Sequence, residues 1–387
     1  MRNYMPDVTV VGGGPAGSLT ARLLAASGRD VVLLEEHNEA GVPTHCAGFV
    51  SDDVIQKMGV RPNIYSTICR ADVKLPDGRV LEIGRKSPIG FIVDRADLDA
   101  KMVDLAAKHG VDVHMGERCT EVTATDAYVT AKTNDGEIKS DLLVGADGQN
   151  STIAASWGNN MAREYLRGFQ MDVRHTMDEQ DRMILRVGND IAPGLFAWQL
   201  PMGDLTRVGV CVSPNAGTPA EYVKRLLKNI GLADCKVEQS FGGKVPIGGR
   251  RTSVNNRVML IGDAAGQVKP VSAGGLYPIA VAAPILADTV SKAYEMNVFS
   301  TAVLALYERG WKRELGKSLD GGMRLRKMYC RMSDRNLCAI AKIFDTPEIL
   351  GILSNIDIDD PTTVVKPILK QRGVKSRLLG IYLRSLF

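Results

Sequence analysis

The stretch from Val8 to Glu35 constrains this chain most. It reads V-T-V-V-G-G-G-P-A-G, then an amphipathic run to Gly28, then D-V-V-L-L-E-E. Gly12, Gly14 and Gly17 occupy the three glycine places of G-x-G-x-x-G, with Ala16 among them where the helix-like run begins. The first glycine permits a tight turn, and the second lets backbone approach a pyrophosphate. The third lets helix and strand pack closely, with the helix N-terminus facing the phosphates. Glu35 closes the next apolar run, about twenty residues on, where a carboxylate accepts hydrogen bonds from a ribose; Glu36 follows it. A glycine turn that comes with its strand, helix and acid predicts a bound dinucleotide.

Two distant motifs narrow the choice. Leu142 to Gly148 reads L-L-V-G-A-D-G, a buried strand ending in Asp147-Gly148. Arg257 to Gly266 reads R-V-M-L-I-G-D-A-A-G, a second buried strand ending in Gly262-Asp263. A nicotinamide dehydrogenase needs neither, and singly each Asp reads equally well as a turn residue. Together, in this order and spacing, the three motifs resemble the FAD-binding fold of the p-hydroxybenzoate hydroxylase superfamily. The resemblance implies FAD as cofactor and Asp263 as the residue that binds its ribityl chain. It also implies an FAD-contacting arginine at Arg95, which opens the helix-like run R-A-D-L-D-A-K-M-V-D-L-A-A-K.

At 387 residues the chain is long enough for two packed domains. A net charge of +4 is too small to argue for nucleic acid. Seven cysteines without framework spacing read as reduced thiols of a cytoplasmic protein, and no Cys/His cluster predicts a metal. The fingerprint starts too near the first residue for a signal peptide. The longest apolar run, Gly274 to Val290, is broken by Pro278, Pro284 and Asp288, so no membrane span is expected.

The expected fold is α/β: a discontinuous FAD-binding Rossmann-like domain over 1–60, 90–155 and 250–295. Residues 61–89 and 156–249 carry short alternating runs such as R-M-I-L-R-V and T-R-V-G-V-C-V, the pattern of an antiparallel-sheet substrate domain. The region 296–387 turns helical and basic.

Pro193 to Pro201 reads P-G-L-F-A-W-Q-L-P. Alternation puts Leu195, Ala197 and Gln199 on one face and Phe196, Trp198 and Leu200 on the other. That apolar face reads either as core or as the wall of a greasy pocket. The segment is similar to the P-x-x-Y-x-W-x-F-P motif of the geranylgeranyl reductase family, with Phe196 for Tyr and Leu200 for Phe. Gly41 to Ser51, G-V-P-T-H-C-A-G-F-V-S, resembles the family's cysteine loop. Gly262 to Tyr277 resembles its G-D-A-A-G…G-G-G-I segment, with Ala273 at the first of three glycines. The resemblance covers roughly residues 5–320.

It implies an FAD-dependent reductase that hydrogenates C=C bonds of geranylgeranyl chains, of archaeal membrane lipids or their precursors. It implies a catalytic Cys46 beside the flavin with Ala47 and Gly48, and an isoprenoid cavity lined by Phe196, Trp198 and Pro201. Gly274, Gly275 and Leu276 would open a helix aimed at the flavin, where its positive end favours the anionic reduced ring. His45 reads as a proton relay or a solvent-facing loop residue, Tyr277 as cavity lining or packing, and Cys46 by itself as a small buried hydrophobe.

Family analogy favours ferredoxin or another low-potential electron donor. Arg309, Lys312, Arg313, Lys317, Arg324, Arg326, Lys327, Arg331 and Arg335 form either an acidic-protein dock or a solvated helix face. From Lys366 to Phe387 there are six Lys or Arg and no acid, with Leu378, Leu379, Tyr382, Leu383, Leu386 and Phe387 at helical spacing. That suits peripheral contact with a membrane or docking on the protein itself. Three rival readings remain. Phe196-x-Trp198-x-Leu200-Pro201 is close to the W-x-W-x-I-P of flavin halogenases, although the Arg that hydroxylases place three residues after the Ser of their motif is here Ala154. A prenyl-carrying protein of the GDP-dissociation-inhibitor kind and a flavoprotein reducing a membrane quinone are the others.

Overall fold

The computed structural model describes residues 5–158 and 160–384. Strand Val8–Val11 has no polar alternation and is buried on both faces, the mark of a central parallel strand. Val31–Glu35 pairs with it on one side and Leu142–Gly145 on the other, both parallel. Asp112–Met115 and Val258–Leu260 extend the sheet in parallel, and the short Val254–Asn255 closes one edge antiparallel. Register sets Val11 level with Gly145, and Gly145 level with Leu260. The turns after these three strands, carrying Gly12, Asp147 and Asp263, therefore emerge side by side at one end of the sheet.

Helix Pro15–Ala26 begins with proline at its first turn, where no N–H is missed. Its Leu19 and Leu24 share a core with Leu33 of the sheet and with Ile279, Ala283 and Leu286 of helix Leu276–Met296. The apolar run at 274–290 is thus an interior helix, and no helix among the described residues is long and apolar enough to cross a membrane. Helix Arg95–Lys108 is capped by Asp94, whose carboxylate accepts from the Ala96 and Asp97 N–H groups. A three-stranded meander, Cys119–Ala124, Val129–Thr133 and Glu137–Ser140, lies beside the parallel sheet.

A second sheet has seven strands in the order Val237–Ile247, Glu164–Arg174, Leu205–Val212, Phe196–Met202, Arg182–Arg186, Arg70–Lys74 and Val80–Gly84. The expected antiparallel sheet is in fact mixed: Arg182–Arg186 and Arg70–Lys74 run parallel. They come from sequence segments more than a hundred positions apart, so no hairpin dictates their direction. Ile64–Ile68 joins a separate small sheet with Gly90–Val93 and Phe49–Val50.

Register settles the faces of the large sheet. Phe196, Cys211 and Gly168 form one row, Trp198, Gly209 and Gln170 the next, and Leu200, Arg207 and Asp172 a third, all on one face. Ala197, Val208 and Val210 point the other way, into a core with Val223, Leu226 and Leu227 of helix Pro219–Asn229. Leu195 departs from the predicted alternation. It precedes the strand and is buried with the Phe196 side, because pleat geometry begins only at Phe196.

Helices Thr301–Tyr329, Asp334–Phe344, Pro347–Ser354, Val365–Lys370 and Val374–Arg384 follow. Ile343, Ile349, Ile368, Val374 and Ile381 form a small core of their own. Of the tail's apolar residues, Leu378 packs on that core and Leu379 is exposed. The side chains of Tyr382, Leu383, Leu386 and Phe387 lie outside the described part of the chain.

Candidate functional site

The glycine turn is built by close approach. Gly12 has φ +105°, and a Cβ there would stand 2.4 Å from the Ala146 carbonyl oxygen. At Gly14, by contrast, a Cβ would meet nothing within 4 Å, which leaves open space at the N-terminus of helix Pro15–Ala26. The Glu35 carboxylate accepts from the Gly13 N–H at 2.7 Å and the His37 N–H at 2.9 Å, with His37 Nδ1 at 2.6 Å. Glu36 is exposed, facing Arg118 at 3.4 Å. Sequence reasoning found Glu35 but not the His37 that orients it.

Asp147 and Asp263 stand on the neighbouring strand ends. Asp147 Oδ2 accepts from the Ile153 N–H and Thr152 hydroxyl, both at 3.3 Å, while its buried Oδ1 has no partner. Burial pushes the Asp147 carboxyl up. Burial also raises Asp263, to about 6, against the pull of Arg95 and Arg250. Gly262, at φ +66°, brings its turn so near the first helix that a Cβ would stand 2.8 Å from Ala16 Cβ. Gln267 fixes this turn from inside, accepting from the Gly262 N–H at 2.8 Å and donating to the Tyr307 hydroxyl, which donates to the Leu260 carbonyl. The following loop returns through Ala273 at φ +57°, a left-handed conformation that suits glycine. Gly275 caps helix Leu276–Met296, and a Cβ on it would come 3.1 Å from Asp263 Oδ1. Gly274 and Leu276 flank this cap, and Tyr277 is half-buried against the helix–sheet core.

Arg95 connects these parts. Its guanidinium pairs with Asp99 at 3.0 Å and stands near Cys46. Burial opposes its charge, but Asp99 and Cys46 outweigh that and hold its pKa above the usual arginine range. Cys46 is half-buried, and its sulfur accepts a 3.5 Å contact from the Gly48 N–H. Ala47 and Gly48 continue the loop inward, whereas His45 is exposed.

The aromatic face meets the same loops. Phe196 and Trp198 are edge to face, with centroids 6.1 Å apart. The indole lies over Gly209, where a Cβ would be 2.4 Å away, and its N–H donates to Gln170 Oε1 at 3.2 Å. Trp198 shares one cluster with Ala47 and Phe49 and another with Val268 and Ala273. Pro201 is buried opposite Thr206, on the Ala197 side of the strand and away from the face that carries Phe196 and Trp198, because side chains alternate along the pleat. The cysteine loop, the aromatic strand and the glycine-rich loop after Asp263, remote in sequence, thus converge. Sequence reasoning missed Arg207 and Asp172, which lie on the same face of the sheet. The signal was there: a lone charge inside T-R-V-G-V-C-V and another inside Q-M-D-V.

Of the nine basic residues between 309 and 335, eight are exposed. Arg326 is not, and its inclusion in a docking face is corrected. It is 3% exposed and donates to the Gly194 carbonyl, Glu164 and Ser213, so its charge is consumed inside.

The open space at Gly14 and the orphaned Asp147 oxygen suit the phosphates and hydroxyls of a bound dinucleotide. The model of the FAD binding domain family matches residues 5–277. The chain belongs to this family. FAD is therefore its cofactor. A digeranylgeranylglycerophospholipid reductase of Methanopyrus kandleri is 27% identical over 91% of this chain and 93% of its own. A geranylgeranyl bacteriochlorophyll reductase-like structure from Thermoplasma acidophilum superposes with TM-score 0.84 at 22% identity, covering 97% of this family member and 99% of that chain. The halogenase PltM with FAD gives 0.70 at 16% identity, over 98% and 86%.

Proposed function

We propose that this flavoprotein reduces isolated C=C bonds in geranylgeranyl chains of archaeal membrane lipids or their precursors. The observation that carries the reading is the convergence on Trp198 of the cysteine loop, through Ala47, and of the loop after Asp263, through Val268 and Ala273. Relatives that match about nine-tenths of the chain and are named digeranylgeranylglycerophospholipid reductases support the substrate class.

An isolated alkene has no carbonyl to polarise it, so reduction relies on proximity in a dry site. FAD, when bound and reduced, would supply the hydride equivalent. The protein's part is to hold the chain and bring a proton to the alkene. Phe196 and Trp198 present the apolar wall, and Cys46 delivers or relays the proton from a loop that packs on the same wall through Ala47. Gly12 and Gly14 would seat the pyrophosphate, with Gly17 packing the helix onto the turn, Glu35 would hold a ribose and Asp263 the ribityl chain. The eight exposed cations of 309–335 receive an acidic low-potential protein such as ferredoxin. The protein works in the cytoplasm, and the basic tail supports contact with an anionic membrane surface.

The test is to reduce the yellow protein anaerobically, add a geranylgeranyl lipid, and follow flavin absorbance and lipid mass. Reoxidation with two hydrogens gained per double bond is expected. A flavin that stays reduced with the lipid, but reoxidises with oxygen plus an aromatic compound or with a quinone, would replace this reading with a rival.

A further inference from the structure

Asp172 is fully buried and Arg207 is 3% exposed, side by side on neighbouring strands. Arg207 donates to Asp172 through Nε at 2.7 Å and through Nη2 at 2.8 Å. Gln239, opposite Asp172 on the next strand, donates to Oδ2, and the Phe241 ring lies 5.2 Å from the guanidinium carbon. A buried pair of this kind contributes little to stability over an apolar replacement of equal volume. Folding economy therefore does not account for it.

The remaining nitrogen has another task. Arg207 Nη1 leaves the sheet and donates to the carbonyl of Ala47 at 3.0 Å, with the Cys46 carbonyl at 3.4 Å. The next residue, Gly48, has φ +83°, and a Cβ there would stand 2.6 Å from the Val93 carbonyl oxygen. The backbone on the C-terminal side of Cys46 is thus pinned twice, by a rigid fork and by a glycine contact. With its carbonyl held from the sheet side, Cys46 keeps its sulfur at 3.5 Å from the Gly48 N–H.

We infer that Arg207, held by Asp172, is a positioning residue that sets where the Cys46 thiol stands in the site. The inference rests on the reading of Cys46 as the proton-delivering group, but its own geometry is independent of the lipid. Lysine cannot take over, because one ammonium cannot give a bidentate fork to Asp172 and still reach two carbonyls.

The test uses the FAD-loaded protein and two variants, Arg207→Lys and the paired Arg207→Met with Asp172→Leu, which removes the buried charge from both sides. Alkylation of each cysteine by iodoacetamide is followed by mass spectrometry, beside single-turnover reduction of a geranylgeranyl lipid. Expected are unchanged FAD content and a Cys46 alkylation rate altered about tenfold or more. Alkylation of exposed Cys330 stays constant, and buried Cys119 and Cys211 stay protected. Turnover falls by roughly 10²-fold, the scale of an ångström's misplacement, without a matching rise in KM. Cys46 alkylation within twofold of wild type in both variants overturns the inference. So does a general rise at Cys119 and Cys211, which marks loosening of the fold. Altered alkylation with unchanged turnover upholds the positioning and instead removes Cys46 from the proposed chemistry.

Discussion

Gly17 and Gly12 are pressed together: a Cβ on Gly17 would stand 1.8 Å from the Gly12 carbonyl oxygen. The obstacle is backbone and cannot swing aside. Gly17→Ala is expected to destabilise the protein by about 3 kcal/mol, at the upper end of overpacking costs. Gly14→Ala meets nothing within 4 Å and should leave the apoprotein's stability unchanged while lowering FAD occupancy. Thermal melts and flavin absorbance on the two variants separate the effects.

Asp263 makes the apoprotein's stability depend on pH. Its folded value, about 6, lies above the ordinary 3.8, so between these the folded state holds a proton that the unfolded chain releases. This group therefore costs stability above about 6, and the cost is relieved as pH falls through that value. Asp263→Asn should flatten that part of the profile and weaken FAD binding. Urea midpoints of FAD-free protein at pH 5 and 7.5 give the comparison; identical slopes in both proteins would refute it.

Ala273 holds a left-handed backbone at φ +57° where a glycine fits without strain. Ala273→Gly is expected to stabilise by roughly 0.5–1 kcal/mol, since the left-handed cost of about 1–2 kcal/mol is partly offset by glycine's greater freedom when unfolded. A melting temperature that rises modestly at constant FAD content is the expected result.

Trp198 is read as the wall of the lipid site. Trp198→Phe keeps an aromatic surface but loses area and the N–H bond to Gln170. FAD content should be unchanged, KM for a geranylgeranyl lipid should rise, and reduction of the flavin by dithionite should be unaffected. Equal loss of FAD would mark the indole as a core residue instead.

Arg326 and Lys327 are adjacent in sequence but opposite in consequence. Arg326→Met leaves the Gly194 carbonyl and the part-buried Glu164 without their donor and should cost about 1–3 kcal/mol, the usual penalty for an unsatisfied buried polar group. Lys327→Glu lies on the exposed face and should leave stability intact while slowing reduction by an acidic protein donor, most strongly at low salt. Stopped-flow reduction at two ionic strengths checks the second claim.

The cofactor half of the molecule was legible because its signals are local. V-T-V-V-G-G-G-P-A-G writes strand, turn and helix in consecutive residues, and Glu35, Asp147 and Gly262-Asp263 each end a strand whose apolar run announces it. Alternation in F-A-W-Q-L also sorted Ala197 from Phe196 and Trp198 correctly, since the pleat has a period of two. It failed at Leu195, one residue before the pleat begins.

The sequence by itself determined most of what each segment becomes: a parallel α/β core around a glycine turn, short strands in the inserted segments, where helix Pro219–Asn229 went unread, and helices after Ala302. Only the tertiary structure decided which segments meet. Arg207 looks like a stray charge until its strand lies beside Asp172 and faces the carbonyl of Ala47. Arg326 looks like one more surface cation until Glu164 and Gly194 close around it. Local propensity acts over a few residues, whereas a buried side chain such as Arg326 depends on partners up to 162 positions apart. A lone charge among apolar residues, as at Arg207, marks a side chain that needs a partner, but which partner it finds is decided by what packs beside it.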